Sequence, residues 1–158
     1  MYENKIITEP KWKSWIIQTT TPLFTPDQCN QIIASGRAQK PQQAQVGINK
    51  PGGGTNTKKR VTTISWIPFQ EMGHMYQDLN KFIQQANENH FGFGDIQVTE
   101  QAQFTEYPEG GFYDWHMDCD VNMEHEPPVR KISMTLLLND PSEFEGGDLE
   151  LMAPGKYA

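Results

Sequence analysis

Cysteine is nearly absent: Cys29 and Cys119 are the only two in 158 residues, too few for a disulfide framework and too far apart for a CxxC zinc pair, so free thiols are expected. No run of about 18 apolar residues occurs, which excludes a membrane-spanning helix. Met1–Ile7 carries Glu3 and Lys5 but no apolar signal core, so a cytoplasmic protein that engages no membrane is expected. Basic residues are scarce in the second half: residues 95–158 hold three Lys/Arg against fourteen Asp/Glu, whereas residues 1–94 hold ten against six. An acidic half repels a phosphate backbone, so no nucleic-acid partner is expected, and carboxylates near histidines raise a cation site as the alternative to a merely solvated acidic face. No GxxxxGK[ST] follows Pro51-Gly52-Gly53-Gly54, so that stretch reads as a flexible loop rather than a phosphate cradle.

What remains is enough for one folded domain. Hydrophobic residues make up 36% and aromatics 11% of the chain, which argues against global disorder. Trp12, Trp15, Ile16 and Ile17 predict a first strand. Thr25-Pro26-Asp27-Gln28 combines an N-cap Thr, Pro at the first helical position and Gln three after the cap, and predicts a helix carrying Cys29, Ile32 and Ile33 that stops near Gly36. A weak strand is expected at Ala44–Ile48 and another at Val61–Ile67. Between Phe69 and Phe91 the apolar positions follow the 3.6 period and predict a long helix with its stripe on the core, flanked by His74 and His90 as ordinary polar residues. After Gly94 the texture turns to strands: Ile96–Tyr107, Phe112–Asp118, Lys131–Leu138 and Asp148–Met152, punctuated by Gly, Pro, Asn and Asp.

The chemistry centres on His116-Met117-Asp118. Residues i and i+2 of an extended chain share a face, so an imidazole nitrogen and a carboxylate oxygen are offered side by side to one cation. That is two-thirds of a 2-His-1-carboxylate triad, which leaves positions open on Fe(II). An HxD triplet alone is weak, and its surroundings decide.

Those surroundings are Glu100-x-x-Gln103-x-x-x-Tyr107-x-x-Gly110-x-x-Tyr113-x-x-His116-x-Asp118, then Arg130-Lys131-Ile132-Ser133, Leu138-Asn139-Asp140-Pro141 and Phe144-Glu145-Gly146-Gly147-Asp148-Leu149. In that order and spacing they resemble the prolyl 4-hydroxylase-like branch of the Fe(II)- and 2-oxoglutarate-dependent dioxygenases, densely over residues 100–152 and more loosely over 22–91. The resemblance implies an α+β, mainly β fold: a double-stranded β-helix, or jelly roll, with N-terminal flanking helices, forming a single domain over 1–158. It implies His116 and Asp118 as metal ligands and Tyr107 in the cosubstrate pocket. It also implies Fe(II), 2-oxoglutarate as cosubstrate and, optionally, ascorbate. Some relatives place a tyrosine on the next core strand; here Leu137 stands at that position, and Thr135 is the substitute for contact with 2-oxoglutarate. Arg130 matches a basic residue expected to pair with an acidic neighbour rather than to reach the iron.

The implied reaction is hydroxylation of an unactivated C–H bond, a prolyl side chain in a peptide or protein being the expected substrate, with release of succinate and CO2. The alternatives are a non-catalytic jelly-roll binding module with a vestigial metal site, and a cupin-like metalloprotein that uses no 2-oxoglutarate. Tyr113 and Trp115 read as half-buried strand aromatics, His125 as a solvent-exposed loop residue, and Asp120 as a nearby carboxylate on the ligand face. No His follows His125. The second metal-binding His and the Lys or Arg for the distal carboxylate of 2-oxoglutarate lie beyond the GGDL segment in the resembled family. The expectation is therefore a domain truncated at its C-terminus, lacking its last core strands, and inactive alone.

Overall fold

The computed structural model describes residues 14–43, 58–118, 130–153 and 156–157. The predicted strand at Ala44–Ile48, the Pro51–Gly54 loop, Cys119, Asp120 and His125 lie outside them.

The first helix, α1 (Pro26–Ala38), begins where its capping box requires: Thr25 Oγ1 accepts from the Gln28 amide at 3.3 Å, and the Thr25 amide donates to Gln28 Oε1 at 2.8 Å. It runs two residues past Gly36. After β1 (Gln42–Gln43), the predicted strand at 61–67 divides into β2 (Arg60–Val61) and β3 (Thr63–Ile67), which belong to different sheets. The second helix, α2 (Gly73–Ala86), starts four residues later than the periodicity indicates. Pro68 opens a turn closed by the Glu71 amide on the Pro68 carbonyl, and Phe69 packs its ring on Tyr76 from outside the helix, at 4.4 Å between centroids. A π-turn over Asn87–Phe91 ends α2 at Gly92, whose φ of 70° places it in the left-handed region that glycine tolerates.

Strand β4 (Ala102–Glu106) pairs antiparallel with β3, Ser65 opposite Phe104, and β1 covers the other edge of β3. Strand β5 (Phe112–Tyr113) pairs with β2, and β6 (Met152–Ala153) with β7 (Lys156–Tyr157). These are three small antiparallel sheets with no closed barrel among the described residues. The core lies between both helices and the β3–β4 ladder: Phe24, Ile32, Ile67, Met75, Tyr76, Leu79 and Phe104. Tyr76 ties its parts together, its hydroxyl donating to the Ile67 carbonyl at 2.5 Å and accepting from the Ala102 amide at 2.7 Å.

Several predicted strands are corrected. Residues 14–17 form none; Trp15 and Ile16 are exposed, and the Ser14 amide bonds the His90 carbonyl instead. Ile96–Gln101 and Trp115–Asp118 extend β4 and β5 in sequence but, among the described residues, not in pairing. Lys131–Leu138 has no ladder among the described residues, yet its burial alternates as a strand's would. Met134, Leu136 and Leu138 pack on the core while Ser133, Thr135 and Leu137 face outward. Side-chain alternation follows from an extended backbone, but a strand also needs a neighbour to bond, which local pattern cannot supply. No helix among the described residues is long and apolar enough to cross a membrane.

Candidate metal centre

The break at Thr62 builds the site. Because β2 and β3 continue one chain into two sheets, Arg60 comes beside both Gln103 of β4 and Tyr113 of β5. The turn Tyr107-Pro108-Glu109-Gly110-Gly111, with Gly110 at φ +69° and the Gly111 amide on the Pro108 carbonyl, returns the chain from β4 to β5. The Asp114 amide then bonds the Lys59 carbonyl at 2.8 Å and carries the pairing just past β5, directly before His116 and Asp118.

His116 Nε2 and Asp118 Oδ1 stand 3.1 Å apart on one side of the chain. Two donors at right angles, each roughly 2.1 Å from a first-row cation, would stand about 3 Å apart, so the pair fits as neighbouring ligands. Each donor is held from behind. His116 Nδ1 lies 2.8 Å from the Asp114 carbonyl. A carbonyl only accepts, so Nδ1 carries a proton, which leaves Nε2 as the ring nitrogen available to a metal. The imidazole stacks on Tyr113, with centroids 3.6 Å apart and planes inclined by 13°. On the carboxylate, Ser133 Oγ donates to Asp118 Oδ2. Arg130 pairs with Glu100, as expected, and also donates from Nη1 to the Asp118 carbonyl at 2.7 Å, so it fixes the ligand's backbone.

The outer hydrogen bond on a ligating carboxylate typically changes metal affinity 10–100-fold. Ser133→Ala is therefore expected to weaken Mn(II) binding by roughly 10-fold with the unfolding midpoint unchanged, as read by titration calorimetry beside thermal melts; an unaltered affinity would assign Ser133 to packing alone.

The other expected site residues are less gathered. Tyr107 is half exposed beside the donor pair's support. Burial pushes its phenol above the ordinary 10.0, while the Arg60 guanidinium pulls it the other way. Thr135 is exposed on the face that carries Ser133. His74 and His90 contribute no donor here, and among the described residues no group of three His, Cys, Asp or Glu is placed to hold a metal.

Two residues went unread in the sequence. Tyr113 is the platform under His116 rather than a plain strand aromatic, and its register three before the histidine was the only local sign. Arg60 is buried, although it stands at the end of a polar stretch. Trp115 is exposed, not half-buried. A cleft of about 290 Å³ opens beside Ser133, walled by Trp15, Phe91, Phe93 and Lys131–Ser133. Phe91 and Phe93 present near-parallel rings there, 6.5 Å apart.

Residues 102–156, about a third of the chain, match the family model of the 2OG-Fe(II) oxygenase superfamily. That stretch contains Tyr107, Tyr113, His116, Asp118 and Ser133. The match supports a dioxygenase-type function dependent on Fe(II) and 2-oxoglutarate, and the superfamily's fold is a jelly roll. No curated protein and no solved structure gives a significant match.

Proposed function

We propose that this chain is an Fe(II)- and 2-oxoglutarate-dependent hydroxylase of the prolyl 4-hydroxylase-like kind, acting on a prolyl side chain in a peptide or protein. The observation that carries the reading is the 3.1 Å approach of His116 Nε2 and Asp118 Oδ1, each buttressed from behind, inside the matched residues. His116 and Asp118 would hold the iron. When bound, it supplies the oxidising power toward C–H bonds that protein side chains lack, with 2-oxoglutarate as co-reductant of O2.

The chain's own groups bind and orient. His116 keeps a fixed tautomer, and Asp118 keeps one oxygen turned to the cation and the other to Ser133. Tyr107 remains a neutral phenol at physiological pH and so offers a donor to a carboxylate or keto oxygen of 2-oxoglutarate, in a pocket where Thr135 is the further contact. The cleft beside Ser133 suits an apolar ring, since its Trp15, Phe91 and Phe93 walls can pack on a pyrrolidine, with Ser14, Lys131 and Ser133 as its polar lining.

The decisive experiment loads the chain with Mn(II), titrates 2-oxoglutarate, then replaces Mn(II) by Fe(II) in air with a proline-containing peptide library and follows succinate and a 16 Da gain on peptide. Metal binding without 2-oxoglutarate affinity would overturn the reading in favour of a binding module or a cupin-like metalloprotein. Tyr107→Phe is expected to weaken 2-oxoglutarate by about 1.5–3 kcal/mol, the worth of a hydrogen bond to a charged group, with Mn(II) affinity unchanged. Equal cosubstrate affinity in both proteins would make Tyr107 a packing residue.

A further inference from the structure

Arg60 is a poor choice for stability alone. The residue is only 8% exposed, and its Nε is fully buried with no hydrogen-bond acceptor. Nη2 donates to Gln103 Oε1 at 2.8 Å, and the guanidinium lies 4.3 Å from the centroid of the Tyr113 ring. Both partners are neutral, and no ion pair among the described residues reaches it. A buried charge without an opposite charge is strongly disfavoured against an apolar side chain of similar volume, which points to a use for the charge other than stability.

The strand register shows what it holds. Arg60 of β2 is the cross-strand partner of Tyr113 on β5, so the ladder itself lays the guanidinium over that ring. Tyr113 also meets the His116 imidazole, at 3.6 Å between centroids and with planes inclined by 13°. Two groups so close cannot share one face of a phenol, and the ring is therefore sandwiched. A continuous chain of contacts runs from Gln103 on β4 through Arg60 and Tyr113 to His116. The imidazole is tethered at Cβ and, through Nδ1, at the Asp114 carbonyl 2.8 Å away. A ring held at two points still rocks about the line between them, and a surface against its face fixes the plane on which the 3.1 Å approach of Nε2 to Asp118 Oδ1 depends. We propose that Arg60 is a positioning residue for the metal centre: by cation–π attraction, stronger for a desolvated cation, it clamps Tyr113 against His116 and so sets where Nε2 points. The metal role of His116 rests on the function proposed above, whereas the clamp itself does not.

Charge and positioning predict opposite signs. A guanidinium one aromatic ring beyond the imidazole repels a cation bound there, so removal of its charge alone would tighten metal binding. Loss of the clamp weakens it. The test compares the unmutated chain with Arg60→Met, Tyr113→Leu and Tyr113→Phe, with thermal melts to establish folding. Calorimetry follows Mn(II), and proton NMR of the metal-free chain follows the His116 ring, assigned by its disappearance in His116→Ala. An imidazole facing an aromatic ring has its C–H resonances moved upfield by the ring current. Arg60→Met is expected to weaken Mn(II) about 10-fold and to lose the upfield displacement, and Tyr113→Leu to weaken Mn(II) at least as much. Tyr113→Phe keeps the ring, so it retains the displacement and an affinity within about twofold. An intact displacement in Arg60→Met, or a Mn(II) affinity there that is unchanged or tighter, overturns the proposal. Should Arg60→Met fail to fold, Gln103→Leu, which leaves the cation in place without its anchor, decides by the same two readouts. Should the unmutated chain bind no Mn(II), the function reading fails and the displacement alone judges the clamp: present in the unmutated chain and lost in Arg60→Met, it supports the clamp, and any other pattern overturns it.

Discussion

Alanine at either His116 or Asp118 is expected to lower Mn(II) affinity by at least about 100-fold, the larger end of what even an outer hydrogen bond contributes at a metal site. Each substitution deletes one of two donors 3.1 Å apart, and the donor left behind must compete with water alone. Both side chains are partly exposed, at 36% and 47%, so neither change should cost much folding stability, which separates loss of the site from loss of the fold. His125→Ala should leave the affinity within about twofold, because a fixed tautomer and a buttressed carboxylate, not a general excess of acid and histidine, make the site. Equal losses from all three replacements, measured in one calorimetric series, would mean that a diffuse cluster holds the metal.

Phe104→Ala is expected to cost about 3–5 kcal/mol of stability, as deletion of a buried aromatic ring usually does. Phe104 is at the centre of the core and rests on Gly36 of α1 so closely that a Cβ there would lie 2.2 Å from its Cγ. The approach is fixed from a second side by Ser65 Oγ, which donates to the Gly36 carbonyl at 2.6 Å. Gly36→Ala gains up to about 1 kcal/mol of helix propensity, but forcing a methyl into the base of a packed ring costs about 1–3 kcal/mol or more. The clash wins. In the double variant the truncated side chain makes room for the methyl, so the two losses should fall short of their sum by more than about 1 kcal/mol in urea unfolding. Additive losses would mean that α1 and β4 do not meet at this point.

Much of this was legible locally. The capping box of Thr25 and Gln28 is complete within four residues, and the stripe through Met75, Leu79 and Phe82 needs only the helical period. The shared face of His116 and Asp118 follows from extended geometry, and it held although β5 stops at Tyr113. What could not be read depends on distant partners. Arg60 is brought to Gln103 across 43 residues and Arg130 to Glu100 across 30, and neither separation leaves a periodic trace. Lys131–Leu138 shows the limit: its alternation was visible, whereas a ladder depends on what lies alongside.

That segment divides the site into a firm half and a soft one. His116 hangs from a chain pinned by β2–β5 bonds and a stacked ring, while Ser133 sits on backbone that joins no ladder among the described residues. Segments of the second kind open at far lower free energy than paired strands do. The Ser133–Asp118 bond is thus a latch between parts of unequal stiffness, and whatever orders 131–138 also steadies the carboxylate. A guest settling in the cleft against Lys131–Ser133 would restrict that backbone before any cation arrives, and the cation would then meet a carboxylate already stilled. Occupancy of the cleft and of the metal position would reinforce each other through lost motion, with no change in mean shape.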